Sequence, residues 1–146
     1  MNKLELVIPG EPCAQGRPRF STVGGFVKAY DPEKSRNYKA FVKCVVMDSI
    51  KKTGWTLTDL PLCVEITAFM GIPSSKPKKF KERALAGLER PNKKPDVDNM
   101  FKIITDALSG IVYKDDKQIV SAKVSKYYTD IPYVAVKIVA VGGEKK

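Results

Sequence analysis

The stretch LCVEITAFM, residues 62–70, decides the fold class expected for this chain of 146 residues. Apolar residues occupy every second position along it, and this spacing is typical of a β-strand with one face towards a core. The residues on that face are Leu62, Val64, Ile66, Ala68 and Met70.

Outward from this strand, five other segments predict β-structure. KLELVIP at 3–9 alternates in the same way. Two β-prone runs flank Gly24-Gly25, which is a hairpin signal. Residues 118–128 and 132–141 predict two final strands.

Apolar residues at helical spacing predict two main helices, at about 32–52 and about 97–109. A short helix is predicted inside the basic stretch 73–95. Strands and helices mix without strict βαβ alternation, so the prediction is one α+β domain over 1–146. The apolar positions of the first helix are Tyr38, Phe41, Val42, Val45 and Val46, with Ser49, and those of the second are Met100, Ile103, Ile104, Ala107, Leu108 and Ile111.

The composition favours a polyanionic partner. The chain has 26 Lys and Arg against 16 Asp and Glu, a formal net charge of +10. Nucleic acid is the first candidate and an anionic membrane surface the second. No apolar run approaches the ~20 residues of a membrane span, and no secretory signal begins the chain, so a cytoplasmic location is expected.

Histidine is absent, which excludes His-based triads and His-metal nucleases. Cys13, Cys44 and Cys63 are odd in number and fall in no CxxC spacing, so they predict neither a disulfide framework nor a zinc site. Core or incidental thiols are expected instead. Trp55 is expected to close a loop over the core.

The segment KPDVDNMFK, 94–102, carries two carboxylates one residue apart. At about 100° per residue, Asp98 and Lys102 share the helix side opposite the apolar stripe, together with Thr105, Asp106 and Ser109. Asp96 precedes the helix, where its carboxylate can converge with that of Asp98. A return of the chain could add Asp115 and Asp116, and such an oxygen-only group suits Mg²⁺ or Mn²⁺ rather than zinc.

Simpler roles compete with this metal site. Asp96 and Asp98 could be helix caps, Asp115-Asp116 an ordinary polar turn, and Asp98 with Lys102 a surface i,i+4 pair. On these terms the protein would be a non-catalytic nucleic-acid-binding module. A Mg²⁺ enzyme for mononucleotides is a third alternative, but the GxxxxGK[ST] loop is absent.

The string KPDVDNMFKIITDALSGIVYKDDKQIV, 94–120, resembles the signature of the RusA family of Holliday junction resolvases. It holds Pro-Asp-x-Asp-Asn-x-x-Lys, then Asp-Ala-Leu, then an Asp pair followed by Gln and an apolar residue. GRPRFS, 16–21, is similar to the early basic motif of that family. The resemblance implies an α+β fold with a mixed sheet that carries helices.

The resemblance also implies a function. The family consists of homodimeric, Mg²⁺-dependent endonucleases that cut four-way DNA junctions by paired hydrolysis in recombination and repair, and phages encode many members. Asp96, Asp98 and Asp116 match its catalytic carboxylates, with Asp115 as the alternative third ligand, and Lys102 matches its catalytic lysine. Mn²⁺ is expected to substitute for Mg²⁺. The candidates for phosphate contacts are Arg17, Arg19, Lys76, Lys78, Lys79, Lys93 and Lys94, with Lys93 and Lys94 favoured because they border the catalytic loop.

Overall fold

The computed structural model describes residues 2–16, 19–30 and 32–142 of the chain. Helices and strands follow one another along the chain without regular alternation, which is typical of an α+β fold. In order they are β1 (Lys3–Pro9), β2 (Arg19–Val23), β3 (Phe26–Tyr30), α1 (Glu33–Thr53), β4 (Leu62–Gly71), α2 (Lys78–Leu85), α3 (Val97–Leu108), a 3₁₀ turn (Asp116–Gln118), β5 (Ile119–Thr129) and β6 (Tyr133–Ala140).

Four strands form one mixed sheet in the order β1-β6-β4-β5. β4 runs parallel to β5 and antiparallel to β6, and β1 is antiparallel to β6. β2 and β3 form a separate two-stranded hairpin across Gly24 and Gly25. The predicted mixed sheet with packed helices is therefore confirmed.

The core lies between one face of the sheet and the helices α1 and α3. Alternate residues of the central strands point into it, and all five apolar positions predicted for residues 62–70 are buried. α3 adds Met100, Ile103 and Ile104, and α1 adds Val42 and Val46. Since full burial of one such side chain stabilises a fold by roughly 1.5–3 kcal/mol, this layer holds the helices on the sheet.

Two aromatic residues lie outside the core, namely Phe41, which was predicted on the apolar side of the first helix, and Phe69 on β4. Phe41 on α1 is exposed, because the face of this long helix that contacts the core is narrow and centres on Val42 and Val46. Phe69 points out of the opposite face of the sheet, since its neighbours Ala68 and Met70 take the core side. Trp55 closes over the core as predicted: it is buried, and its Nε1 donates to the carbonyl oxygen of Val112 at 3.0 Å.

The end of α3 directs the chain back towards the sheet. α3 stops at Leu108, and Gly110 follows with φ +85°, a conformation that favours glycine and ends helices. The next residues pair with Thr58, through the bond from Thr58 N to the carbonyl oxygen of Val112 at 3.2 Å. This return places residues 113–118 beside α3 and directly before β5.

Candidate active site

An open cleft of about 820 Å³ lies where the C-terminal end of β4 meets the start of α3. The segment 11–16 forms one wall and the loop 93–95 the other. Asp96 and Asn99 from the start of α3 contribute to its lining, as do Lys93 and Lys94. The cleft therefore brings the predicted aspartate motif and the two favoured lysines to one surface.

Two hydrogen bonds from backbone N–H groups hold the segment 11–16 in place. Gln15 N donates to the carbonyl oxygen of Asn99 at 3.2 Å, and Gly16 N donates to the hydroxyl of buried Ser35 at 2.8 Å. Gly16 has no room for a side chain, since a Cβ there would lie 2.8 Å from a ring carbon of Pro32. These bonds join the start of the early basic motif to the first turns of α1 and α3.

A lysine that was not predicted as a site residue holds the opposite wall. Lys126 lies on the core side of β5, and its Nζ donates to the carbonyl oxygens of Lys93 at 2.7 Å and Pro95 at 3.2 Å. Arg90 Nε donates in turn to the carbonyl oxygen of Lys126 at 2.6 Å. One feature of the sequence could have indicated Lys126: it occupies one of the alternate positions of this strand that face the core, where a lysine is unexpected.

The two aspartates of the motif are exposed at the first turn of α3. Asp96 occupies the N-cap position, yet its carboxylate makes no capping hydrogen bond. Asp98 accepts from the neighbouring Asn99 N at 3.0 Å, a local bond that engages one of its oxygens. Helix capping by the side chain therefore does not account for Asp96, whereas both carboxylates lie at the positive end of the helix dipole.

Lys102 lies one turn further along α3 and is 63% exposed. Its Nζ is 3.9 Å from Asp106 Oδ2, which also lies 3.8 Å from Lys39 Nζ. In the described residues its ion pair is thus with Asp106, and not with Asp98 as the surface-pair alternative assumed. Thr105 was expected on this open side of the helix. It is buried instead, and its hydroxyl donates back to the carbonyl oxygen of Phe101 at 2.8 Å.

Asp115 and Asp116 have different surroundings. The carboxylate of Asp115 caps the 3₁₀ turn and accepts from Lys117 N at 2.9 Å. Buried Gln118 completes this capping box: its Oε1 accepts from Asp115 N at 2.8 Å, and its Nε2 donates to the carbonyl oxygens of Thr58 and Leu60. Asp115 is therefore used to build the turn.

Asp116 points towards α3. Its Oδ1 lies 3.0 Å from the hydroxyl of Tyr113, which also lies 2.7 Å from the carbonyl oxygen of Thr105. Burial, together with the charge of Asp116, raises the pKa of Tyr113, so the hydroxyl keeps its proton and donates to one of these two acceptors at a time. Asp116 also shares a shallow pocket with Phe101, three residues along α3 from Asp98.

The predicted convergence of three or four carboxylates is not found as a closed group. Within residues 2–16, 19–30 and 32–142, no three acidic or cysteine side chains lie close enough to hold one metal ion. The donors at the motif are nevertheless exposed carboxylate oxygens, the kind that Mg²⁺ takes. This ion commonly binds one or two carboxylates and completes its shell with water and phosphate oxygens. The pair Asp96 and Asp98 fits that requirement.

The predicted phosphate-binding residues divide into two groups. Lys93 and Lys94 are exposed at the cleft. Lys76, Lys78 and Lys79 are exposed at the start of α2. This helix packs on β5 through Phe80, whose ring centroid lies 5.8 Å from that of Tyr128. Arg17 lies outside the described residues, and so does the side chain of Arg19 at the start of β2.

Glu11 and Cys13 also line the cleft, although the sequence did not single out the first and predicted a core thiol for the second. Glu11 Oε1 accepts from Gly71 N at 2.9 Å, which ties the wall to the end of β4. Cys13 is buried, and burial raises the pKa of its thiol, so it stays neutral near pH 7 and is a poor nucleophile. All three cysteines are free.

Fold and site together define a class: a small basic α+β protein with an exposed aspartate pair at a helix start, beside a lysine-bearing cleft. Comparison with known proteins makes this specific. The endodeoxyribonuclease RusA family matches residues 9–139. The chain therefore belongs to the RusA family of endodeoxyribonucleases, which act on DNA junctions.

The chain is also similar to YqaN of Bacillus subtilis (strain 168), a protein described as uncharacterized. The two are 41% identical over 140 residues, which cover 94% of this chain and 96% of YqaN. Among the described helices, none combines the length and apolar character that a membrane span requires.

Proposed function

We propose that this protein is a Mg²⁺-dependent endonuclease that resolves four-way DNA junctions by paired phosphodiester hydrolysis, in recombination and repair. One observation carries the proposal: in a chain of the RusA family, Asp96 and Asp98 leave carboxylate oxygens unused at the mouth of a lysine-bearing cleft. Exposed like charges one residue apart suit cation binding, and Asp96 has no side-chain partner among the residues that the structure describes.

The proposed division of labour follows from these positions. Asp96 and Asp98 hold Mg²⁺, and Mn²⁺ substitutes. Asp116, which does not share one ion-sized group with this pair in the described residues, is proposed as the third catalytic carboxylate. The ion, when bound, polarises the scissile phosphate and lowers the pKa of an attacking water. Lys102 places a positive charge one turn from Asp98, where it stabilises charge that develops on the phosphate. Asp116 is preferred to Asp115 because the carboxylate of Asp115 caps the 3₁₀ turn.

The lysines supply affinity without base specificity. Lys93 and Lys94 at the cleft, Lys76 just before α2, and Lys78 and Lys79 in its first turn are proposed to contact phosphates on the arms of the junction. Contacts of this kind recognise the shape and charge of the branched substrate. Arg17 and Arg19, both in the early basic motif at 16–21, are proposed for the same role.

A cleavage assay on a labelled four-way junction tests the proposal. The expected result is cleavage with Mg²⁺ or Mn²⁺, none with a chelator, and none of a linear duplex of the same sequence. Tight junction binding with no cleavage in either ion would support the non-catalytic module instead. Assay in a salt series separates binding from chemistry, since phosphate contacts weaken steeply with salt.

A further inference from the structure

A buried tyrosine lies beneath the exposed carboxylate of Asp116. Tyr113 is fully buried, whereas Asp116, three residues further along the chain, is exposed. The tyrosine hydroxyl lies 3.0 Å from Asp116 Oδ1, which is hydrogen-bonding distance. This contact turns one oxygen of the carboxylate towards the protein and leaves the other, Oδ2, for contacts outside it.

The single proton of this hydroxyl has two acceptors in range. The second is the carbonyl oxygen of Thr105 on α3, at 2.7 Å. That carbonyl already accepts the helix bond from Ser109 N at 3.0 Å, so it does not depend on the tyrosine. Although the carbonyl oxygen is the nearer acceptor, hydrogen bonds to an ionised carboxylate are roughly twice as strong as bonds between neutral groups. The hydroxyl therefore favours Asp116 when that carboxylate is ionised.

The backbone around Tyr113 is fixed by its own hydrogen bonds. The carbonyl oxygen of Tyr113 accepts from Gly110 N at 2.7 Å, and Lys114 N donates to the carbonyl oxygen of Thr58 at 3.3 Å. Lys114 N also lies 2.8 Å from Oε1 of buried Gln118, which closes the same turn. A close-packed aromatic ring on such a backbone has little freedom to move, so its hydroxyl is a fixed point for the neighbouring carboxylate.

We propose that Tyr113 is a positioning residue for Asp116, and this role rests on the proposed junction cleavage. The hydroxyl holds Oδ1 towards α3 and so presents Oδ2 to the reacting group. Without this bond, the exposed side chain of Asp116 would sample several staggered rotamers. A site whose charged groups are present but loosely held loses rate, because fewer encounters have the productive geometry.

The competing role for Tyr113 is purely structural. In that case the hydrogen bond fastens the 3₁₀ turn to α3 and has no part in the reaction. The two roles differ in their dependence on Asp116. A fastening role affects the folded chain whether or not a carboxylate is present at position 116, whereas a positioning role affects the rate through that carboxylate alone.

Tyr113→Phe tests the role of the hydroxyl, since it keeps the ring that fills the core. It should slow single-turnover cleavage of a four-way junction about tenfold. The dissociation constant for the junction should be unchanged, because the buried hydroxyl does not contact DNA. Tyr38→Phe on α1 is the matched control. It also removes a buried tyrosine hydroxyl, but one without a hydrogen-bond partner in the described part of the chain, and it should leave the rate unchanged.

A double-mutant cycle with Asp116→Ala separates the two roles. If Tyr113 acts through Asp116, Tyr113→Phe should cause no further loss of rate once the carboxylate is removed. The same variants are compared in urea unfolding, which needs no activity. There the double variant should be destabilised by less than the sum of the two single changes, because both remove the same hydrogen bond. Circular dichroism verifies that each variant folds.

Wild-type cleavage by Tyr113→Phe, or an equal loss from this change with and without the Asp116 carboxylate, would overturn the role of Tyr113. Additive effects on unfolding would overturn it too, and they decide the matter if Asp116→Ala cuts too slowly to measure. These results leave the proposed nuclease activity standing. Absence of cleavage by the wild-type protein would instead overturn both proposals.

Discussion

Asp96 shows how a residue with a familiar structural role is distinguished from one with a chemical role. An aspartate directly before a helix usually accepts a backbone hydrogen bond from the first turn. Asp96 occupies that position without such a bond, while Asp115 makes it at the 3₁₀ turn. The two positions look alike in sequence, and only the side-chain contacts separate them.

The first prediction concerns the aspartate pair. Asp96→Asn and Asp98→Asn should each abolish cleavage and keep or strengthen junction binding, because a lost carboxylate weakens the ion site and removes repulsion towards phosphate. Single-turnover cleavage and gel-shift titration measure the two effects. Near-normal cleavage by either variant would refute the metal-site assignment.

The second prediction compares Asp116 with Asp115. Asp116→Asn should slow cleavage at least about a hundredfold with little change in melting temperature, as expected for loss of a charge at the reacting group. Asp115→Ala should instead lower the free energy of unfolding by about 1 kcal/mol through loss of the cap, and retain most cleavage. The reverse pattern would make Asp115 the third carboxylate.

The third prediction concerns Lys102. Lys102→Ala should lower the single-turnover rate far more than junction affinity, because a contact made in the transition state appears in the rate. One lysine among many adds little to ground-state binding. If affinity fell tenfold and the rate stayed normal, Lys102 would be a phosphate contact only.

Among the elements, the strands and helices follow from the sequence to within one or two residues. Apolar residues at every second position predict β4, and apolar residues at helical spacing predict α1 and α3. Both patterns work because the side that carries the apolar residues is the side that is buried. The order β1-β6-β4-β5 could not be predicted, because neither face pattern nor turn residues encode which strands pair. The aspartate motif was likewise evident, but Lys126 was not, since its two bonds depend on that order.

The fourth prediction tests how β5 supports the loop before α3. Lys126→Met leaves the carbonyl oxygens of Lys93 and Pro95 without their donor. We expect a loss of about 1–3 kcal/mol in the free energy of unfolding and slower cleavage, because the cleft wall and Asp96 lose their support. Lys43→Met on α1 removes the same charge from an exposed position and serves as the control. Equal effects of both variants would show that charge, and not position, matters.

For the whole molecule, net charge and fold act together. A charge of +10 favours any polyanion, so the proposed selectivity for a branched DNA has to come from the placement of the cleft and of α2. One chain has one aspartate motif, so paired cuts require two chains.

The most direct test of the central claim uses a supercoiled plasmid that extrudes a cruciform, incubated with the protein in Mg²⁺. Two cuts within one binding event convert the circle to linear DNA, whereas independent cuts accumulate nicked circles first. We predict linear product from the start of the reaction with wild-type protein, and uncut plasmid with a chelator or with Asp98→Asn. Plasmid that is bound but left uncut by the wild-type protein, in Mg²⁺ and in Mn²⁺, would contradict the account.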